Sequence, residues 1–256
     1  MIRSIFRRID SLPFVKKFGS RYGQKHFLHC NALKNARIVS IGAGEDITFD
    51  VEIAKEYGAT ILLLDPTPRA IRHVEMVLKR LGTAGSKSYS LTGQQDPDVY
   101  DLENVKVNQI IFIPIGAWKE KTEISFMSPS RIDYASYSVI ESLKSFSKFT
   151  VRFPVDTIKN ICLQNNFLPF ELLKLDIEGA QLEVLESMFS DSIFPNQILV
   201  EIDELNYLGF HNLLRAVKCM ILLKKNGYVC HSPINSSDLL FVKKGFLSQQ
   251  KAFPEI

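Results

Sequence analysis

The run from Ile38 to about Leu81 constrains the fold of this chain most. Ile38-Val39-Ser40-Ile41 is short, apolar and rich in β-branched residues, and Gly42 stops it. From Glu45 to Tyr57 the positions Ile47, Val51, Ala54 and Tyr57 fall at helical spacing, and Gly58 follows. Ile61-Leu62-Leu63-Leu64 is apolar throughout and closes on Asp65-Pro66; a run without alternation suits a strand buried on both faces of a parallel sheet. Thr67-Pro68 then opens a helix reaching about Leu81, with Thr as cap and Pro at the first helical position. Strand, helix, strand and helix in succession predict an α/β fold with right-handed crossovers.

The rest of the chain continues the alternation. Strands are predicted over Gln109–Ile115, Phe170–Asp176 and Gln197–Ile202, with a closing pair at Tyr228–Ser232 and Leu239–Lys243. Helices are predicted over Val155–Asn165, Gly179–Phe189 and Phe210–Lys225, the last with Gly227 just beyond its end. Gly82 to Asn108 is polar and turn-rich, and Lys121 to Met127 suits a strand. Ser128 to Lys148 has the composition of an exposed loop or lid, and Ile132-Asp133-Tyr134-Ala135-Ser136-Tyr137 within it could contact a substrate, a plain exposed loop being the alternative. Residues 1–35 read as a helical appendage, 36–245 as one domain and 246–256 as a tail.

With 256 residues the chain can hold one large core. A net charge of +3, with no interior basic stripe, gives no support to nucleic-acid binding. Cys30, Cys162, Cys219 and Cys230 form no CxxC pair and read as reduced, buried thiols. The start lacks a signal-peptide h-region, so the expected location is cytoplasmic. Ile2, Ile5, Phe6 and Ile9 form a stripe with Arg3, Arg7 and Arg8 off it. It reads as a helix packed on the core, and peripheral membrane contact through residues 1–20 is the alternative.

Two constellations carry chemistry. Gly42-Ala43-Gly44-Glu45-Asp46 lies at a strand-to-helix turn, where glycines admit a ligand to the backbone and the helix start offers N–H donors. Asp65 stands 21 positions after Gly44 at the end of the next strand, where an acidic residue can accept from ribose hydroxyls. A tight turn and a capping carboxylate are the plain alternatives. A nicotinamide fingerprint would place a third glycine where Ile47 stands, and Asp46 suits a pyrophosphate poorly. S-adenosyl-L-methionine (SAM) carries no phosphate and bears an ammonium, so this chemistry favours SAM. Asp176 and Glu178 close a later strand before Gly179, at the carboxyl-end crevice where open α/β sheets bind ligands. Glu178 can instead cap the next helix. Glu201 and Asp203 with Asp176 make a conceivable oxygen site, but spacing brings no His to them and no metal is expected.

These stretches resemble the FkbM-type methyltransferase family. The resemblance rests on Ile41-Gly42-Ala43-Gly44-Glu45-Asp46-Ile47-Thr48-Phe49-Asp50, on Leu64-Asp65-Pro66-Thr67-Pro68 and on Ile113-Pro114-Ile115-Gly116-Ala117-Trp118. Most specific is Val155-Asp156-Thr157-Ile158 followed by Leu173-Lys174-Leu175-Asp176-Ile177-Glu178-Gly179-Ala180. It spans Arg37 to Lys243 and implies a class I, Rossmann-like sheet of seven mostly parallel strands, ordered 3-2-1-4-5-7-6, flanked by helices. It also implies SAM as donor and an oxygen on a small or sugar-like substrate as acceptor. By position, Gly42, Ala43, Gly44, Glu45 and Asp46 would hold the methionine part. Asp65, with Pro66 and Thr67, would hold the ribose, Ala117 and Trp118 would border the adenine, and Asp176 would lie near the reacting sulfur. Ser40 stands where many members of the class have an acid, Asp46 where a third glycine is frequent, and Gln181 where Glu often follows.

Methyl transfer to an alcohol needs a placed acceptor and a general base. Asp176, Glu178, Asp203 and His211 are the candidates. An O-methyltransferase acting on a glycan or small metabolite is the leading expectation; the alternatives are an NAD-linked oxidoreductase and a non-catalytic SAM-binding protein.

Overall fold

The structure, a computed structural model, describes residues 7–8, 14–129, 146–177, 179–206, 209–232 and 237–246. Strands β1 to β6 are Arg7–Arg8, Val15–Phe18, Lys25–Leu28, Arg37–Ile41, Thr60–Leu64 and Ile110–Ile113. Strands β7 to β13 are Gly116–Ala117, Thr122–Pro129, Phe146–Asp156, Leu172–Leu175, Gln197–Glu201, Tyr228–Ser232 and Asp238–Lys243. Helices α1 to α5 are Thr48–Tyr57, Pro68–Leu78, Ile158–Gln164, Gln181–Ser190 and Phe210–Lys225.

The main sheet runs β1-β12-β13-β11-β10-β4-β5-β6. Without β1, this is the 3-2-1-4-5-7-6 order read from the opposite edge. Strands β11, β10, β4, β5 and β6 are parallel, and β13 enters antiparallel to both β11 and β12. The short β1 adds an eighth strand parallel to β12.

The apolar strands fill two cores, one on each face. Ile38, Ile61, Leu63 and Leu172 join Phe49, Ile53 and Val74 of α1 and α2. Val39, Ile41, Leu62, Leu64, Leu173 and Leu175 join Ile161, Leu185, Met188 and Cys219 of α3 to α5. Side-chain alternation thus sends both halves of each run into a core, which explains the lack of polar punctuation.

The chain before Arg37 corrects the expectation of a helical appendage. Its described part is the two-residue strand β1, an antiparallel β2–β3 hairpin and a short 3-10 turn at Asn31–Leu33. Gly19, with φ at +102°, interrupts any continuous helix, and a Cβ there would meet the Gly23 carbonyl at 2.9 Å. Alternation then turns Phe27 inward, with ring centroids 5.0 Å from Phe18 and 6.0 Å from Phe49. The stripe Ile2, Ile5, Phe6 and Ile9 lies outside the described residues, as do the lid segment 132–137 and most of the tail.

Three helix starts lie later than the sequence suggests: α4 opens at Gln181, two residues on, and α1 and α3 each open three residues on. Asp46 Oδ1 accepts from the Thr48 N–H at 3.0 Å, so residues 45–47 stay in the turn and α1 begins at Thr48. Val155 and Asp156 end β9 instead of opening α3, whose cap is Thr157, accepting from the Asn160 N–H at 3.1 Å. No helix among the described residues is long and apolar enough to cross a membrane.

Candidate functional site

After β4 the chain builds toward β5 and β6, and it later returns through β10 and β11 on the other side of β4. This reversal places a topological switch point between β4 and β10, where the carboxyl ends of parallel strands leave a crevice. A cavity of about 680 Å³ opens there, and Gly42 to Asp46, Asp65 to Thr67, Ala117, Asp176, Glu201 and Asp238 are among its lining residues.

The glycine turn is specified at both glycines. Gly42 has φ at +90°, and a Cβ there would fall 1.8 Å from the Asp176 carbonyl oxygen. Gly44 has φ at +54° and faces open space. One Asp65 carboxylate oxygen accepts from the N–H groups of Ala43 and Gly44, both at 3.0 Å. The other accepts from the N–H and hydroxyl of Thr67 at 2.9 and 2.6 Å. The four acceptor positions of the carboxylate are thus taken by the chain itself, and Asp65 sets the shape of the turn.

Asp46 replaces a third glycine because its side chain joins three segments. It accepts from the Ser20 hydroxyl at 2.5 Å, the Gln95 amide at 3.1 Å and the Thr48 hydroxyl at 2.6 Å. The hairpin turn and the polar 82–108 segment are thereby fixed to the start of α1. Glu45 pairs with Arg69 of α2 at 2.5 Å.

Behind the turn, Lys174 of β10 is buried and donates to the Gly42 carbonyl at 2.8 Å. Its ammonium lies 3.8 Å from Asp50 of α1, which is fully buried. Burial lifts the Asp50 carboxyl above its ordinary range, against the pull of Lys174. Ser40, where an acid was expected from the resemblance, is buried on the same strand face as Lys174.

The cavity wall beyond Asp176 is acidic. Lys25 of β3 is buried and reaches three carboxylates from three strand ends. Its ammonium lies 3.0 Å from Asp176 and 3.3 Å from Glu201, and it also pairs with Asp238. Glu201 and Asp238 are partners in the β11–β13 ladder, which sets their side chains together. Burial disfavours the Lys25 charge, but the three acids outweigh it and hold the ammonium well above its ordinary range. Burial likewise opposes ionisation of Asp176, but Lys25 and Lys174 overcome it and keep that carboxyl below its usual range. The neighbouring Asp176 charge, followed by burial, pushes Glu201 up to about 8.

Of the remaining predicted residues, Pro66, Thr67, Ala117 and Asp176 line the cavity, whereas Trp118, Asp203 and His211 are not among its lining residues. The Trp118 N–H donates to the Asp156 carbonyl at 2.9 Å. Asp203 is buried and accepts from the Gln181 amide at 3.0 Å. His211 is exposed in the first turn of α5. Glu178 lies outside the described residues. Sequence reasoning did not find Lys25 or Asp238, and it considered Glu201 only as a metal ligand. The available signal was a charged residue at the mouth of an apolar strand, present at all three. The described residues contain no grouping of three or more His, Cys, Asp or Glu suited to a metal, and all four cysteines are free and buried.

A mostly parallel sheet with its cavity at the switch point, a glycine turn on one side and an acidic strand end on the other, is the arrangement of a Rossmann-like α/β fold. The methyltransferase FkbM domain matches residues 25–230, and the chain belongs to that family. No curated protein matches the sequence. Among solved structures, the Methanococcus jannaschii fibrillarin pre-rRNA processing protein is similar at 11% identity with a TM-score of 0.42. That match covers 82% of this chain and 66% of the other, so the chain spans just under two thirds of its length. A chain of a fibrillarin/Nop5p complex is similar at 12% identity with a TM-score of 0.39, over 89% of this chain and 91% of that one.

Proposed function

We propose that the protein is a SAM-dependent methyltransferase that methylates a hydroxyl oxygen of a sugar or another small neutral metabolite. The observation that carries this reading is the cavity at the switch point, bounded by the Gly42–Gly44 turn on one side and by Asp176 and Glu201 on the other. Its volume of about 680 Å³ falls within the range of small-molecule sites. SAM supplies an electrophilic methyl group when bound.

The chain's own residues divide the remaining work. The backbone at Gly42 to Gly44, kept in shape by Asp65 and Lys174, would receive the amino-acid end of the cofactor. The ribose would lie at Asp65, exchanging with the Thr67 hydroxyl, the one donor there that can rotate away. Ala117, buried at the cavity wall, would border the base. Placement of the acceptor about 3 Å from the methyl carbon supplies much of the rate. As the new C–O bond forms and the S–C bond breaks, the acceptor's proton must leave. Asp176 and Glu201 both reach the cavity, and Glu201, with the higher proton affinity, is the group assigned to take it. The acidic groups of this wall outnumber its one lysine, so it is unfavourable to phosphate or carboxylate acceptors, which supports a neutral one.

Transfer of a labelled methyl from SAM to a panel of monosaccharides, glycosides and their phosphorylated counterparts tests this. The expected result is product with a neutral hydroxyl compound, with a rate that rises toward pH 8 and falls at least about a hundredfold in Glu201→Gln. Labelling confined to amines or carboxylates would refute O-methylation of a neutral acceptor.

A further inference from the structure

Lys25, Asp176, Glu201 and Asp238 form one closed cluster at the cavity, supplied by a hairpin strand and three strand ends far apart in the sequence. With every member ionised, one positive charge meets three negative ones, leaving a surplus of two. That surplus is not dispersed into bulk water, because Lys25 is buried and only a quarter to a third of each acidic side chain is exposed.

We propose that this cluster is an electrostatic selector that makes the site prefer the positively charged donor over its neutral-sulfur product, with Lys25 setting the strength of that preference. The proposal rests on the SAM reading. SAM bears a carboxylate, an ammonium and a sulfonium, for a net charge of +1. S-adenosylhomocysteine keeps the first two and loses the third on giving up the methyl group. A surplus of fixed negative charge beside the glycine turn stabilises the first ligand more than the second. Gly42 and Asp176 are in van der Waals contact across the turn, so the cluster adjoins the part of the cavity that receives the amino-acid end. Lys25 offsets one carboxylate and so prevents the donor, and any product still bound, from being held too tightly.

Glu201 makes the preference depend on pH. It faces Lys25 from β3, Asp176 from β10 and Asp238 from β13, and the Ser237 hydroxyl donates to it at 3.4 Å. When it ionises, the surplus grows by one charge and the preference for SAM rises.

The test is calorimetric titration of the full chain with SAM and with S-adenosylhomocysteine, in separate experiments, at pH 6.5 and 9. The expected ratio of SAM to product affinity rises on going to the higher pH in the native protein and stays flat in Glu201→Gln. At the lower pH, Lys25→Met raises the ratio about fivefold, Asp238→Asn lowers it by a similar factor, and Lys25→Arg leaves it near the native value. Asp238→Asn keeps the experiment decisive if Lys25→Met fails to fold. Binding of both ligands with a ratio unmoved by pH and by every folded variant would overturn the selector while leaving the methyltransferase reading intact. Binding of neither ligand to the native protein would overturn both.

Discussion

The two ends of the cavity are built in opposite ways. The glycine end is held mostly by nearby chain: Asp65 holds Ala43 and Gly44 across 22 and 21 positions and Asp46 caps Thr48 two residues on, with Lys174 reaching Gly42 from 132 positions away. The acidic end is assembled from positions 25, 176, 201 and 238, with separations of up to 213 residues. Local construction leaves a readable spacing of glycines and an acid. Long-range construction leaves isolated charges, each of which looks like an ordinary strand end until the sheet closes.

This contrast predicts that the glycine end breaks by steric and backbone damage and the acidic end by charge. The largest effect is expected from Gly42→Ala, whose new Cβ would overlap the Asp176 carbonyl at a positive φ. SAM binding should disappear, and unfolding by urea should show a loss of about 3 kcal/mol or more. Lys174→Met comes next, because it removes the donor to Gly42 and leaves Asp50 buried without its counter-ion. A stability loss of about 3 kcal/mol is expected, and Lys174→Met/Asp50→Asn should recover part of it in a double-mutant cycle.

Much of the fold was legible before these contacts were known. Strand runs such as Ile61–Leu64 are apolar on both faces, as a doubly covered parallel sheet requires. The hairpin at 15–28 was not legible. Its inward residues, Lys25 and Phe27, alternate over too short a stretch, and their partners Asp238 and Phe49 lie on other elements. The role of Asp46 was hidden for the same reason: two of its donors, Ser20 and Gln95, are 26 and 49 positions away. Asp65 was found by spacing, but only the structure shows its four acceptor positions engaged by the chain. Asp203 lies just past the end of a strand, where sequence favoured it as a base, yet its side chain turns to Gln181.

A smaller effect should separate the three segments joined at Asp46. Asp46→Ala removes hydrogen bonds to Ser20, Thr48 and Gln95. It should reduce stability by about 1–3 kcal/mol and speed amide exchange in residues 20–24 and 90–95 more than in β4 or β5. Uniform acceleration throughout the sheet would contradict a clamp confined to the rim.

The smallest effect is electrostatic. The Asp176 charge and burial push Glu201 up to about 8 in the folded chain, whereas an unfolded glutamate ionises at about 4.3. Between those limits the folded state binds more protons, so the contribution of this group to stability declines as pH rises. Melting temperatures of the native protein should therefore carry a downward component from pH 5 to pH 8 that Glu201→Gln lacks, and an identical pH profile for the two would argue against the raised acid.

On the proposed function, the cavity between the glycine turn and the acidic wall receives SAM. Calorimetric titration of the native protein with SAM, and separately with NAD, tests it most directly. One SAM site of micromolar affinity, lost in Gly42→Ala, and no heat from NAD are expected. NAD binding, or the absence of SAM binding to folded protein, would contradict it.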